Sequence, residues 1–228
     1  MQNEMKRNRT PGGFTVTAHS GCMGFSDNSI EAMEAGVRAG AQIVEFDLRY
    51  SADGKPVLSH DAPAGACVPL SAAFGFLREH PDVKANVDVK STEYLETLLP
   101  LAQETGVLPQ IFLTGVFAQD VPAVREKCPG VPYYLNADIR LRTDVEQLAD
   151  EAKKLGAVGL NVNHKALTEK LVCACRKRGL LVSVWTVNRT HRAKRVLALQ
   201  PDNVTTRRPD MVIRLIPYYA PQTAHKKL

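Results

Sequence analysis

The feature that most constrains the fold is an unbroken alternation of two sequence periods. β-rich runs at 14–18, 43–49, 85–90, 110–114, 132–136, 158–162, 180–185 and 203–206 are each followed by a stretch whose apolar residues recur at helical spacing. Those stretches predict helices at 30–39, 70–78, 92–105, 118–127, 143–155, 168–178 and 189–199, with a short last one opened by Pro209. Strict alternation implies parallel strands joined by right-handed crossovers. About eight such units in a chain of 228 residues favour a closed (β/α)8 TIM barrel, a single α/β domain, over an open doubly wound sheet. No glycine fingerprint for a dinucleotide follows the first run, which also weighs against the open sheet. The barrel is expected over 13–216, between flexible tails at 1–12 and 217–228.

Composition narrows the class without naming a function. The net charge is +5 and the pI about 9.0, with part of the basic excess at the ends, in Lys6, Arg7, Arg9, Lys226 and Lys227. That balance is compatible with an anionic substrate but does not argue for one. No apolar run is long enough to span a bilayer, and 1–10 lacks the apolar core of a signal peptide. The five cysteines, Cys22, Cys67, Cys128, Cys173 and Cys175, suit neither a zinc site nor a disulfide scaffold. They are expected as reduced thiols in a cytoplasmic protein. Cys22 and Cys67 fall in loops near the suspected site, where a reactive thiol is conceivable although no activating motif surrounds either.

The strand at 43–49 carries the strongest functional signal. Val44, Phe46 and Leu48 point to one side, where they pack under a helix, while Ile43, Glu45, Asp47 and Arg49 point to the other. Two carboxylates two residues apart on one face repel each other. A fold tolerates that at a solvated edge or where a cation lies between them. Asp53-Gly54 then signals a turn, and a return strand at 56–59 delivers His60 to the same end, with Asp61 placed either to orient its ring or to start the loop.

In a barrel of this kind the site lies at the C-terminal ends of the strands. His19 ends the first strand, Glu45 and Asp47 the second, and Asp88 and Lys90 the third. Asn161, Asn163 and His164 follow the sixth, Trp185 and Asn188 the seventh, and Thr205, Thr206 and Arg207 the eighth. Each has a bland reading: His19 as a structural loop residue, Asp88 and Lys90 as an inter-strand ion pair, Trp185 as core. Their gathering at one rim is what points to a site. Three carboxylates with no thiolate suit a hard divalent cation, Mg²⁺ or Ca²⁺. Such a cation neutralises the oxygens of a phosphodiester as charge builds. His19 and His60 are the natural proton-transfer pair, because imidazole titrates near neutral pH.

His19 after a β-run, the Asn28-Ser29 helix start, Glu45-Phe46-Asp47, Asp53-Gly54 and His60-Asp61 together resemble the glycerophosphodiester phosphodiesterase family. So do Asp88-Val89-Lys90, the run from Val184 to Asn188 and the run from Thr205 to Asp210, so the resemblance covers about Thr15 to Ile216. It implies a TIM barrel, a divalent metal held by Glu45, Asp47 and Asp88, and acid/base work by His19 and His60. It also implies attack on phosphorus by the substrate's neighbouring hydroxyl or by water, releasing an alcohol and glycerol phosphate. The expected partner is a small-molecule phosphodiester, with no nucleic acid and no stable membrane anchoring.

The sequence departs from that family's pattern in several places. Ser20 stands where an arginine usually holds the phosphate, which leaves Lys90 or Arg49 to supply the charge, with Trp185 and Asn188 as further substrate contacts. The helix-start glutamate is replaced around Asp27-Asn28, and the third metal carboxylate, usually glutamate, is Asp88. Only about 27 residues separate His60 from Asp88, so the insertion that normally caps the site is missing and the pocket is expected to be open and less selective. Asp88-Val89-Lys90 also resembles the spider-type phospholipase D enzymes, which share the barrel and the two-histidine plan. The alternatives that remain are that phospholipase D-like activity, a lyase forming a cyclic phosphate, and a catalytically degenerate barrel that binds anions without turnover.

Overall fold

The computed structural model describes residues 13–137 and 143–219; the expected tail at 1–12, the residues beyond 219 and the terminal lysines and arginines lie outside them. Eight parallel strands close a barrel: β1 (Thr15–Ala18), β2 (Ile43–Tyr50), β5 (Lys84–Val89), β6 (Ile111–Val116), β7 (Tyr133–Asn136), β8 (Gly159–Asn163), β9 (Leu181–Trp185) and β10 (Asn203–Thr206). Closure is made by β1, which pairs with β10 on one side and with β2 on the other. Two short antiparallel strands, β3 (Pro56–Leu58) and β4 (Val68–Pro69), extend β2 beyond the barrel. The outer layer contains α1 (Ile30–Arg38), α2 (Leu70–Glu79), α3 (Leu98–Glu104), α4 (Val121–Lys127), α5 (Val145–Lys154), α6 (Glu169–Lys177), α7 (Thr190–Ala198) and α8 (Pro209–Leu215).

The alternation along each strand divides the protein into two interiors. Outward residues such as Val44, Phe46, Leu48, Ala85, Val87 and Leu113 are fully buried between strands and helices. Truncating one of the large ones, for example Phe46→Ala, costs about 3–5 kcal/mol, from lost transfer energy plus a cavity. Inward residues are apolar only at the bottom, where Ile43, Phe112 and Tyr134 form a buried plug with Val158 and Leu181 packed on it. Above the plug the barrel is filled by Thr17, Asn86, Thr114, Asn161, Ser183 and Asn203, all buried. These polar groups bond one another: Thr17 Oγ1 donates to Asn203 Oδ1 at 2.9 Å, and Asn203 Nδ2 to Ser183 Oγ at 3.0 Å. A polar barrel core over an apolar plug leaves hydrogen-bonding groups directly beneath the open end.

Several boundaries differ from expectation. The helices expected at 92–105 and 118–127 begin as single 3₁₀ turns, Leu95–Thr97 and Ala118–Asp120, before α3 and α4. Each carries a proline, Pro100 or Pro122, in its first turns, where a missing N–H costs least. The chain after Ile216 is not a loose tail as far as Tyr219: Ile216–Tyr218 is a 3₁₀ turn, and Tyr219 packs against the core. Finally, β2 runs on to Tyr50 because β3 pairs with its far end, so Glu45 lies within the strand rather than at its tip.

Candidate active site

The turn from β2 into β3 is fixed as the sequence implies. Gly54 has φ +75°, Ser51 N donates to Lys55 O at 2.9 Å, and β3 returns antiparallel with Leu58 opposite Leu48. That return places His60 beside the end of β2. Arg49 Nε donates to His60 O at 2.9 Å, and Asp61 Oδ1 lies 3.0 Å from His60 Nδ1. Asp61 therefore orients the ring, and the Arg49 guanidinium is used on the backbone of the loop.

β2 and β5 pair in register, with Glu45 opposite Asn86 and Asp47 opposite Asp88. The register brings the carboxylates of Glu45, Asp47 and Asp88 together, with one oxygen of each within 4.8 Å of the others. Burial pushes the Glu45 carboxyl well above its usual range, and the neighbouring Asp88 and Asp47 charges push it further. Lys90 leans over the same group: its ammonium is 2.9 Å from Asp47 Oδ1 and also bonds Asp88. Burial alone would lower the Lys90 pKa, but Asp88 and Asp47 outweigh it and the pKa is raised.

Asp47 is held by α1's approach. Ser29 is the N-cap, its hydroxyl accepting from Ala32 N at 3.2 Å, which frees Asn28 to turn inward. Asn28, at φ +60°, donates to Asp47 Oδ2 at 2.8 Å and accepts from Asp47 N at 2.9 Å. Asparagine tolerates this left-handed backbone better than most residues. Asp27, one residue further back, is ion-paired with Arg207 at 2.5 Å, and Arg207 also donates to Gly21 O at 2.7 Å. This clamp ties the loop after β1 to the loop after β10. The sequence puts Arg207 at the rim, but its pairing with Asp27 joins residues 180 positions apart and has no local signal.

A cavity of about 430 Å³ opens at this end of the barrel. Its walls include His19, His60, Glu45, Asp47, Asp88, Lys90 and Trp185, so the structure brings those seven expected residues together. Ser20, Arg49 and Asn188 are not among the lining residues. Ser20 is buried with its hydroxyl 3.2 Å from His19 Nδ1, and Asn188 Oδ1 accepts from Arg207 N at 2.8 Å. Asn86, Asn136, Phe117 and Asp120 also line the cavity, and sequence reading did not single them out as site residues. Burial lowers the His19 pKa, and the Arg207 charge lowers it further. The reactive-thiol reading of Cys22 fails: the thiol is buried, donates to Ala32 O at 3.1 Å, and burial pushes its pKa up to about 11. Three hard oxygen donors at this spacing, with no sulfur beside them, fit a hexacoordinate or larger divalent ion such as Mg²⁺ or Ca²⁺.

Fold and site together define a single-domain (β/α)8 barrel with an acidic, histidine-flanked pocket at the C-terminal face, where barrel enzymes place their active sites. The sequence model of the Glycerophosphoryl diester phosphodiesterase family matches residues 18–80 and 81–211, and the chain belongs to that family. It is 20% identical to the glycerophosphodiester phosphodiesterase of Caldanaerobacter subterraneus subsp. tengcongensis, the match covering 88% of this chain and 97% of the relative. Among solved structures, the glycerophosphodiester phosphodiesterase of Thermotoga maritima superposes with a TM-score of 0.70 at 24% identity, over 89% of this chain and 98% of that one. An Oleispira antarctica phosphodiesterase, solved in complex with the product sn-glycerol-3-phosphate, gives 0.76 at 16% identity, over 89% and 96%. Among the described residues no helix is long and apolar enough to cross a membrane.

Proposed function

We propose that the protein hydrolyses glycerophosphodiesters to an alcohol and glycerol phosphate in a divalent-metal-dependent reaction, with His19 and His60 moving the protons. The observation that carries this reading is the convergence of the Glu45, Asp47 and Asp88 carboxylates within 4.8 Å, in a cavity that both imidazoles also line. Family membership and the glycerol phosphate complex of the Oleispira protein support the substrate class. Glu45, Asp47 and Asp88 would hold the ion, which when bound supplies Lewis-acid neutralisation of the phosphoryl oxygens.

The two rings have different settings. His19, with a lowered pKa, is neutral at neutral pH and suited to accept the proton of the attacking hydroxyl or water. His60, held by Asp61, is suited to donate to the departing alkoxide. Lys90 keeps positive charge beside Asp47 and Asp88, where it screens their repulsion, and it lines the cavity that would receive the phosphoryl group. Ser20 cannot carry that charge, and Arg49 is turned to the His60 backbone, so Lys90 is the phosphate cation of the cavity.

The test is phosphorus NMR of glycerophosphocholine and related diesters with Mg²⁺ or Ca²⁺, for wild type, His19→Ala and His60→Ala. Loss of general acid–base catalysis is expected to slow each variant about 10²- to 10⁴-fold. Equal rates in all three remove the proposal, and a persistent cyclic phosphate identifies a lyase. The engagement of Lys90 with two acids, together with Ser20 in place of a cation, favours a second reading in which the barrel binds phosphodiesters without turnover. Tight binding with no product over a broad panel selects it.

A further inference from the structure

A second cavity opens at the opposite end of the barrel. Its volume is about 500 Å³, against about 430 Å³ for the acidic one. It lies where four neighbouring strands begin: Lys84 is the first residue of β5 and Ile111 the first of β6, while Pro132 and Val158 directly precede β7 and β8. Leu108, Ile111, Phe112, Val131, Ala157 and Val158 give it an apolar lining. Phe112 and Val158 also belong to the plug of the barrel interior, so the plug stands between the two cavities, and no residue lines both.

The N-terminal face of a barrel ordinarily serves stability rather than chemistry. This cavity has the makeup of a ligand site all the same: a concave, largely apolar lining with a few polar groups. Its charged side chains are both lysines, Lys84 and Lys153, and no carboxylate is among its lining residues. The Lys84 ammonium is fixed at the wall, donating at 2.7 Å to the carbonyl of Pro109, itself a lining residue. That bond uses one of the three N–H donors of an ammonium and leaves two for a ligand. Gln110, also in the lining, is committed to the backbone: its Nε2 donates to Leu77 O, His80 O and Val83 O at 2.9, 3.0 and 2.8 Å. Apolar walls with cations among them complement a ligand that has an apolar body and a negative head.

We propose that this cavity binds a free fatty acid, with the alkyl chain along Leu108, Ile111, Val131 and Val158 and the carboxylate on the ammonium groups of Lys84 and Lys153. An alkyl chain asks only for apolar area, which those side chains supply without directional bonds. A carboxylate accepts charge-assisted hydrogen bonds from lysine. The cavity stands on its own geometry, and the choice of a fatty acid among amphipathic anions rests on the phosphodiesterase reading. The ester hydrolyses that strip a phospholipid to a glycerophosphodiester release fatty carboxylates alongside it, so the substrate and this ligand arise together.

The test is calorimetric titration of the metal-free full chain with hexanoate, octanoate and decanoate, and with octanol. Affinity is expected to rise about fourfold for each methylene added, the transfer free energy of one buried CH₂ group. Octanoate is expected to bind roughly tenfold or more tightly than octanol, the size of one hydrogen bond to a charged group. In Lys84→Met that advantage shrinks, whereas Lys90→Met, which removes the cation of the acidic cavity, leaves it unchanged. An affinity independent of chain length, equal binding of octanoate and octanol, or no binding overturns the proposal. So does a loss of octanoate affinity in Lys90→Met with none in Lys84→Met, which places the ligand in the acidic cavity. The wild-type series decides even where a variant fails to fold. Each of these results leaves the phosphodiesterase reading standing, because no turnover is measured, and a protein that binds the series as expected but cleaves no glycerophosphodiester loses that reading alone.

Discussion

The Lys90 ammonium lies 2.9 Å from Asp47 Oδ1 and bonds Asp88 as well, so one lysine occupies two of the three carboxylates that form the acidic cluster. A divalent ion and this ammonium compete for the same oxygens. Lys90→Met is therefore expected to tighten Ca²⁺ binding by about tenfold, equivalent to about 1.4 kcal/mol, while lowering phosphodiesterase activity. Calorimetric titration of the metal-free variant checks this, and an unchanged or weaker dissociation constant contradicts it.

His19 gives a pH dependence whose sign follows from its environment. Burial first, and Arg207 second, hold its pKa below the ordinary 6.5. The folded protein thus binds fewer protons at His19 than the unfolded chain, and stability falls as pH drops through 6.5 toward the folded value. Above 6.5 there is no penalty. His19→Gln is expected to lose less stability than wild type between pH 7 and 5 in urea titrations of the metal-free protein. Parallel curves for the two proteins contradict the assignment.

How much was legible in the sequence depends on whether the signal was local. The alternation of periods gave eight barrel strands and their helices because each unit buries its own apolar face. Glu45, Asp47 and Asp88 were legible because two lie on one strand face and the third follows the same rule on the neighbouring strand. The positions of Ser29, Asn28 and Asp27 were legible as a helix start but not their division of labour, since only tertiary contacts turn Asn28 to Asp47 and Asp27 to Arg207. Arg49 illustrates the same limit. Alternation puts it on the inward face, but beyond the barrel that face meets the β3 return loop, and the guanidinium binds His60 O there. Asn136 and Phe117 carried no motif, and only closure of the sheet places them at the cavity.

The loop after β1 depends on Gly21. A Cβ there would meet the Arg207 guanidinium at 2.8 Å and the Asp27 backbone at 2.9 Å, inside ordinary van der Waals contact. Gly21→Ala is expected to cost about 1–3 kcal/mol as the Asp27–Arg207 pair is forced apart, and to reduce activity by displacing His19. Thermal unfolding and kcat/KM measured on the same preparation check both effects, and a variant with unaltered values for both contradicts the clamp's role.

The thiols divide by burial. Burial pushes the pKa values of Cys22, Cys128 and Cys175 up to about 11, whereas Cys173 is exposed and Cys67 half-buried. Alkylation of the native protein at pH 8 is expected to modify Cys173 and Cys67 and to reach the other three only on unfolding. Peptide mass spectrometry reads the pattern, and early labelling of Cys22 contradicts the packing of the loop after β1.

Crystals soaked in Ca²⁺ test whether Glu45, Asp47 and Asp88 grip one hard cation beneath two imidazoles. A single ion is expected, with an oxygen from each of the three carboxylates at about 2.3–2.6 Å, Lys90 displaced from at least one acid, and the rings of His19 and His60 facing the same cavity. An ion bound elsewhere, or an acidic cluster still bridged by Lys90 at saturating Ca²⁺, would contradict it.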